Sequence, residues 1–265
     1  MKINLKKLIS RNDLPRKKGE KVVVAMSGGV DSSVTAVLLH KAGYEIIGVT
    51  MQLYKNVDSK SRKSCCAGID ISDAKSVADQ FGFKHYTLNY ENRFKNSVID
   101  NFLDSYNNAE TPIPCIRCNQ TVKFVDLINF TKSVGSSVLA TGHYVRRIKK
   151  KSKIELHQAK DMTKDQSYFL FSTSRNQLEF LRFPLGDFSK REIRQFALEL
   201  NITNAEKPDS QDICFIPNGN YRDFYISNRP DSIKGGIIET YDGKVVGQHL
   251  GTVSYTHLTL PTMFE

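Results

Sequence analysis

Lys21-Val22-Val23-Val24-Ala25-Met26-Ser27-Gly28-Gly29-Val30-Asp31-Ser32-Ser33 is the stretch on which the fold turns. Its first half is short, apolar and rich in valine, which suits a strand buried on both faces of a parallel sheet. Its second half pairs two glycines with three serines, and Val34, Val37, Leu38 and Leu39 follow at helical spacing up to a stop at Gly43. A strand that turns through glycines straight into a helix brings backbone N–H groups and the positive end of a helix dipole to the carboxyl edge of a sheet. Such an edge is built to receive phosphate. Gly28 and Gly29 let the backbone come close, Ser27, Ser32 and Ser33 offer hydroxyls, and Asp31 is a candidate to help hold a magnesium ion.

The pattern repeats outward from there. Glu45 to Met51 reads as a second strand, Ile71 to Phe81 as a helix with Ala74, Val77, Ala78 and Phe81 on one face, and His85 to Asn89 as a third strand. Helices are expected at Phe94 to Tyr106 and Thr121 to Val134, and a fourth strand at Ser137 to Thr141. Strands alternating with helices of this length predict an α/β fold, an open parallel sheet with helices on both faces. After Thr141 the rhythm changes to a basic hairpin over Val145 to Ala159, an amphipathic helix from Ser189 to Leu200 with Ser189 as N-cap, and a glycine-rich, β-forming stretch from Gly235. The expected division is a basic arm at 1–20, the α/β domain at 21–187, a small mixed domain at 188–234 and the start of an incomplete β-barrel at 235–265.

With 265 residues, 40% of them hydrophobic, the chain has enough apolar material for one full α/β core and a smaller second unit. The basic N-terminal stretch lacks the continuous apolar run of a secretory signal, and nowhere is there a run long enough to span a membrane, so a cytoplasmic protein is expected. The formal charge of +10 permits a polyanionic partner. Six basic residues lie between Arg146 and Lys153 with no acid among them, either a solvated loop or a patch that touches RNA.

Neither G-x-x-x-x-G-K-[ST] nor G-x-G-x-x-G occurs, which excludes the common NTPase and dinucleotide loops. Ala25-Met26-Ser27-Gly28-Gly29-Val30-Asp31-Ser32 resembles instead the PP-loop of the N-type ATP pyrophosphatases, and the resemblance implies activation of a carbonyl oxygen by adenylation with release of pyrophosphate. The five cysteines are Cys65, Cys66, Cys115, Cys118 and Cys214, an odd set that argues against a disulfide framework. Cys118 is expected at or just before the N-terminus of the Thr121 helix, beside Arg117, and both features favour a thiolate. Cys214 lies next to Asp209 and Asp212 and is flanked by Ile213 and Phe215, a setting that also suits an inert buried thiol.

Four further segments shift that balance: Pro114 to Phe124 (PCIRCNQTVKF), Ala140 to Tyr144 (ATGHY), Lys164 to Phe171 (KDQSYFLF) and Asp209 to Ile216 (DSQDICFI). In this order behind the PP-loop, from about Val22 to Thr256, they resemble the tRNA-specific 2-thiouridylases. The resemblance implies ATP with magnesium as cofactors, a tRNA with a modifiable wobble uridine as substrate, and a sulfur relay protein or cysteine desulfurase as donor. It assigns Cys118 as nucleophile, Cys214 as persulfide carrier, and a transient disulfide between them. Met51 and Gly142 match ATP-contacting positions, and His143, Lys164, Asp165 and Gln166 match tRNA-contacting ones. Cys115 with Cys118 and a distant third cysteine also fits the spacing of a zinc or iron–sulfur site, the less favoured reading. Two other functions stay open: a PP-loop ligase or amidotransferase, which needs no cysteine pair, and a non-catalytic RNA-binding protein. The likeness stops after Gly247-Gln248-His249-Leu250-Gly251 and Thr256, where His257 to Glu265 departs from the family pattern; a truncated or frameshifted end, with too few strands to close a barrel, is the expectation.

Overall fold

The structure is a computed structural model that describes residues 8, 12–15, 19–54, 68–108, 110–151, 153–209, 212–216, 219–232, 235–249 and 251. Cys65, Cys66 and the stretch 252–265 lie outside the described residues, and with them the expectations placed there.

The valine run forms β1 (Lys21–Ala25), and the loop after it feeds α1 (Val30–Lys41). There follow β2 (Glu45–Gln52), α2 (Gly68–Phe81) and β3 (Lys84–Asn89). The next helix begins earlier than its periodicity suggests, as α3 (Glu91–Phe94), a wide π turn (Lys95–Ile99) and α4 (Asp100–Asn107) in unbroken succession. A second helix of the same build runs through α5 (Pro114–Cys118), a π turn (Asn119–Lys123) and α6 (Phe124–Ser133). Then come β4 (Leu139–Thr141), the hairpin β5 (Val145–Lys150) and β6 (Lys153–Gln158), α7 (Arg175–Phe180) and β7 (Leu181–Arg182). The capping box of Ser189 and Glu192 opens α8 (Lys190–Glu199), in keeping with the expected N-cap. α9 (Tyr221–Asn228) and the hairpin β8 (Gly236–Glu239) and β9 (Val245–His249) complete the described chain.

Five strands make one parallel sheet in the order β3-β2-β1-β4-β7. The chain moves outward from β1 through β2 and β3, then crosses to the other side of β1 for β4. The carboxyl ends of β1 and β4 therefore flank the point where the order reverses, the place where open α/β sheets bind ligands. Side chains of β1 alternate between two cores. Val22 and Val24 join Val34, Leu38, Ala74 and Phe196 on one face, while Val23 joins Val49, Phe94, Phe102, Phe124 and Leu139 on the other. Ile193, Phe196 and Ala197 of α8 sit in the first of these cores, which therefore draws on residues beyond the expected 21–187. Phe215 and Tyr225 belong to the second.

The basic hairpin forms as expected, but part of its charge is neutralised inside the protein. Arg147 is only 3% exposed and donates to the Leu178 carbonyl at 2.7 Å and to Asp13 at 3.2 Å. Lys149 also reaches Asp13, at 3.4 Å, and Lys150 pairs with Glu155 at 2.8 Å. Among the described residues no helix is long and apolar enough to cross a membrane.

Candidate functional site

The phosphate loop is pinned by its own side chains. The Ser27 N–H donates to Ser32 Oγ at 3.1 Å, and the hydroxyls of Ser32 and Ser33 both donate to the Gly29 carbonyl at 3.0 Å. Gly29 is extended and caps α1 with no side-chain bond, so the first turn presents its N–H groups outward. Gly28 has φ +73°, and a Cβ there would overlap the Asp70 backbone. Its carbonyl accepts from Asn204 Nδ2 at 2.8 Å and Lys207 Nζ at 3.2 Å. Gly28→Ala is thus expected to cost ~1–2 kcal/mol from the left-handed backbone alone, with the overlap added. Thermal melting would show it as a lowered midpoint; an unchanged midpoint would mean the loop is freer than described.

A cavity of about 510 Å³ opens above the loop, in the size range of small-molecule sites. Ala25, Met26, Ser27, Gly29, Val30, Asp31, Ser32, Met51 and Gly142 line it, together with Cys118 and Cys214. Gly28 does not, being turned against Asp70, so among the residues expected to contact ATP it serves the loop's packing. Gly142 is where β4 meets the loop; a Cβ there would lie 2.9 Å from Asp31 C and Ser32 N. Val49, Leu53, Phe94 and Val98 supply an apolar wall beside Met51.

Two lysines that the motifs did not single out, Lys190 and Lys207, converge on this cavity with Lys164. Lys190, the first residue of α8 and only 9% exposed, places its ammonium 2.7 Å from both carboxylate oxygens of Asp31 and 2.8 Å from Asp209. The Tyr144 hydroxyl donates to Asp31 Oδ1 at 2.8 Å, and burial together with the Asp31 charge pushes that phenol far above its usual range. Lys164 and Arg194 also reach Asp209, at 3.2 and 2.7 Å. Burial works against the Asp209 charge, yet these cations, Lys190 foremost, hold its carboxyl below the usual range. Lys207 bridges Asp70 and Asp73 at 2.5 Å each while touching the loop through Gly28. The segment leading to Cys214 is thereby fastened to the phosphate loop at Asn204, Lys207 and Asp209. Lys190, Arg194, Asn204 and Lys207 lie in no motif with a spacing of its own, although the basic residues of α8 were visible.

With Lys190 and Tyr144 on its oxygens, Asp31 already has its charge balanced, and the donor set does not fit a protein-held Mg²⁺ at that carboxylate. Among the described residues no three His, Cys, Asp or Glu side chains converge on a metal position.

Cys118 and Cys214 are both reduced thiols that face the same cavity, Cys118 buried and Cys214 half-buried. The expected thiolate at a helix N-terminus is not found. Pro114 occupies the first turn, as proline readily does, and starts the helix before Cys118, which is its fifth residue. Arg117 turns away and donates to the Ser97 carbonyl at 3.3 Å. Burial pushes the Cys118 thiol up, with the Lys123 charge pulling it only partly back. Cys115 is exposed. The backbone carbonyl of Cys214 accepts from the Tyr54 hydroxyl, which ties the cysteine's segment to the end of β2.

Of the positions expected to meet tRNA, His143, Lys164 and Gln166 line the cavity and Asp165 does not. His143 is clamped between Phe124 and Phe183, bonded to Thr141 at 2.8 Å, and burial lowers its pKa to about 3, so it is neutral at physiological pH. Gln166 exchanges two hydrogen bonds of 2.9 Å with the Tyr144 backbone. Asp165 accepts from the Ala159 N–H at 2.7 Å and the Ser167 hydroxyl at 2.5 Å, a turn-building role.

A parallel sheet with a serine–glycine loop at its switch point, backed by buried lysine, defines an α/β fold with a PP-loop-like turn at its ligand-binding edge. The chain belongs to the family described as tRNA methyl transferase HUP domain, whose pattern matches residues 20–218. It is 56% identical over 238 residues to the tRNA-specific 2-thiouridylase MnmA of Neorickettsia sennetsu, covering 89% of this chain and 64% of that protein. Proteins of the same name from Anaplasma marginale and Rickettsia prowazekii are each 53% identical, over 235 and 236 residues, with 89% of this chain and 61% and 66% of theirs covered. The chain thus spans a little under two thirds of the length of these relatives.

Proposed function

We propose that this chain activates a wobble uridine of tRNA with ATP and replaces its C2 oxygen by sulfur, giving 2-thiouridine. The observation that carries this reading is that the phosphate loop and two cysteine thiols line a single cavity. ATP binds with its phosphates on Ser27 to Ser32 and near Lys190, and its adenine against Met51 and the apolar wall. The uracil C2 oxygen attacks the α-phosphorus and pyrophosphate leaves, so that the oxygen becomes part of an AMP leaving group. Cys214 carries a persulfide supplied by a sulfur relay protein or cysteine desulfurase. Its outer sulfur attacks C2, and AMP departs. Cys118 then attacks the inner sulfur, the sulfur–sulfur bond breaks with its electrons passing to the sulfur on C2, and a Cys118–Cys214 disulfide remains for a reductant to open. Alternatively Cys118 first frees sulfide from the persulfide, and the sulfide attacks C2 with the same disulfide as by-product. No step is assigned to magnesium, and none to an iron–sulfur cluster.

The family's description speaks of methyl transfer, but a methyl donor needs neither a phosphate loop nor a cysteine pair, whereas sulfur transfer through adenylation uses both. Ligase or amidotransferase chemistry would leave the cysteines idle. Pyrophosphate release from ATP that depends on unmodified tRNA tests the activation step; release at the same rate without tRNA would refute it.

Binding of tRNA by the basic hairpin follows from the same reading. The triple substitution of Lys149, Lys150 and Lys151 by glutamine is expected to flatten the slope of log affinity against log salt, by somewhat under one for each phosphate that is no longer neutralised. An unchanged slope would leave the hairpin a solvated loop. Arg147 is excluded from that set because its charge is buried against Asp13.

A further inference from the structure

Large aromatic side chains of this chain mostly sit inside; Phe94, Phe102, Phe124, Phe183 and Phe196 are among the most deeply buried. Tyr168 and Phe171 do the opposite, 60% and 69% exposed, with ring centroids 6.3 Å apart. They are carried by a short 3-10 turn (Ser167–Leu170) and the residue after it. That turn is held from several sides. The Phe169 carbonyl accepts from Asn119 Nδ2 at 3.2 Å, one residue beyond Cys118, and Leu170 is buried in the same core as Cys118. Asp165 and Gln166, just before the turn, are bonded to Ala159 and Tyr144. The turn packs against α5, which carries Cys118, and against β6 of the basic hairpin. Two exposed rings are thus fixed between the cavity that holds the reacting groups and the most basic strand pair of a chain of net charge +10.

We propose that Tyr168 and Phe171 form a stacking platform for unpaired bases of the RNA that flank the uridine entering the cavity. The inference deepens the tRNA reading given above and rests on it. Single-stranded loops are recognised by splaying bases onto aromatic faces while cations follow the backbone, and both elements are adjacent here. A bare apolar protein segment would gain nothing from the neighbouring hairpin, whereas a polyanion is drawn to it. The platform is sequence-tolerant by its chemistry, since every base has a flat face.

The test is the affinity of the chain for an unmodified tRNA, compared between the wild type and the double variant Tyr168→Leu/Phe171→Leu. Affinity is expected to fall about tenfold for each base that can no longer stack, with the salt slope unchanged because every phosphate partner is kept. The exchange Tyr168→Phe/Phe171→Tyr is expected to bind within about twofold of wild type, since it keeps both rings. On the wild-type protein, tRNA made abasic at the nucleotides beside the wobble uridine is expected to lose affinity by the same factor, which tests the idea without altering the fold. Double-variant binding within twofold of wild type, or a drop in melting temperature with affinity unchanged, would overturn the platform and leave the rings as cover for a protein segment. If the wild type itself fails to bind tRNA, the substrate reading falls and the platform with it; wild-type binding that both the leucine variant and the abasic RNA leave intact removes the platform alone.

Discussion

Cys118→Ser and Cys214→Ser are each expected to reduce 2-thiouridine formation below detection under a persulfide donor, while tRNA-dependent pyrophosphate release continues near the wild-type rate. The separation follows from the site: activation uses the phosphate loop and the lysines around it, and neither sulfur takes part until the adenylate exists. Wild-type Cys118 rests as a buried neutral thiol, so it gains reactivity when the cavity is filled and Lys123 or the substrate lowers the cost of the thiolate. In the resting protein, iodoacetamide should accordingly label exposed Cys115 well before Cys118. Thiolation at the wild-type rate by either serine variant, read by mass spectrometry of the nucleosides, would end the cysteine mechanism. A bridge between the two requires their Cα atoms to come within about 7 Å.

Lys190→Ala is expected to lower the rate of pyrophosphate release by about a hundredfold or more, comparable to the loss of one preorganised charge donor at a developing anion. Its ammonium is the buried cation beside the phosphate loop, already oriented by Asp31 and Asp209 at 2.7 and 2.8 Å. Asp31→Ala should have a similar effect by a different route, since it removes the carboxylate that aims Lys190 and that receives the Tyr144 hydroxyl. In both variants tRNA affinity should hold within about twofold, because these groups face the cavity floor. Filter binding and a pyrophosphate assay on the same preparations separate the two effects. Release at more than a third of the wild-type rate in Lys190→Ala would show that the cation is structural.

Much of this site was legible in the chain. Lys21 to Met26 had to be a buried strand, and the turn after it had to face the carboxyl edge of the sheet, because no other arrangement uses its glycines and serines together. The PP-loop residues other than Gly28, and Met51, Gly142, Cys118 and Cys214, all meet in one cavity. What escaped the sequence came from long-range packing. Lys190 looks like any polar residue at a helix start until α8 docks on α1 and carries it to Asp31. Asn204 and Lys207 sit in a stretch without periodicity, and only the fold brings them to the Gly28 carbonyl. The two residues of β7 are too few to leave a pattern, and a helix beginning at Pro114 was hidden because Thr111-Pro112-Ile113-Pro114 reads as a loop. That early start is also why Cys118 lost its expected place at a helix end.

The most direct test of sulfur transfer by this chain is to incubate it with ATP, magnesium, a sulfide source and unmodified tRNA, then digest the RNA and measure its nucleosides by mass spectrometry. The expected product is 2-thiouridine, in proportion to the pyrophosphate released. Pyrophosphate without 2-thiouridine, with nitrogen incorporated at the uridine in place of sulfur, would contradict the proposed chemistry.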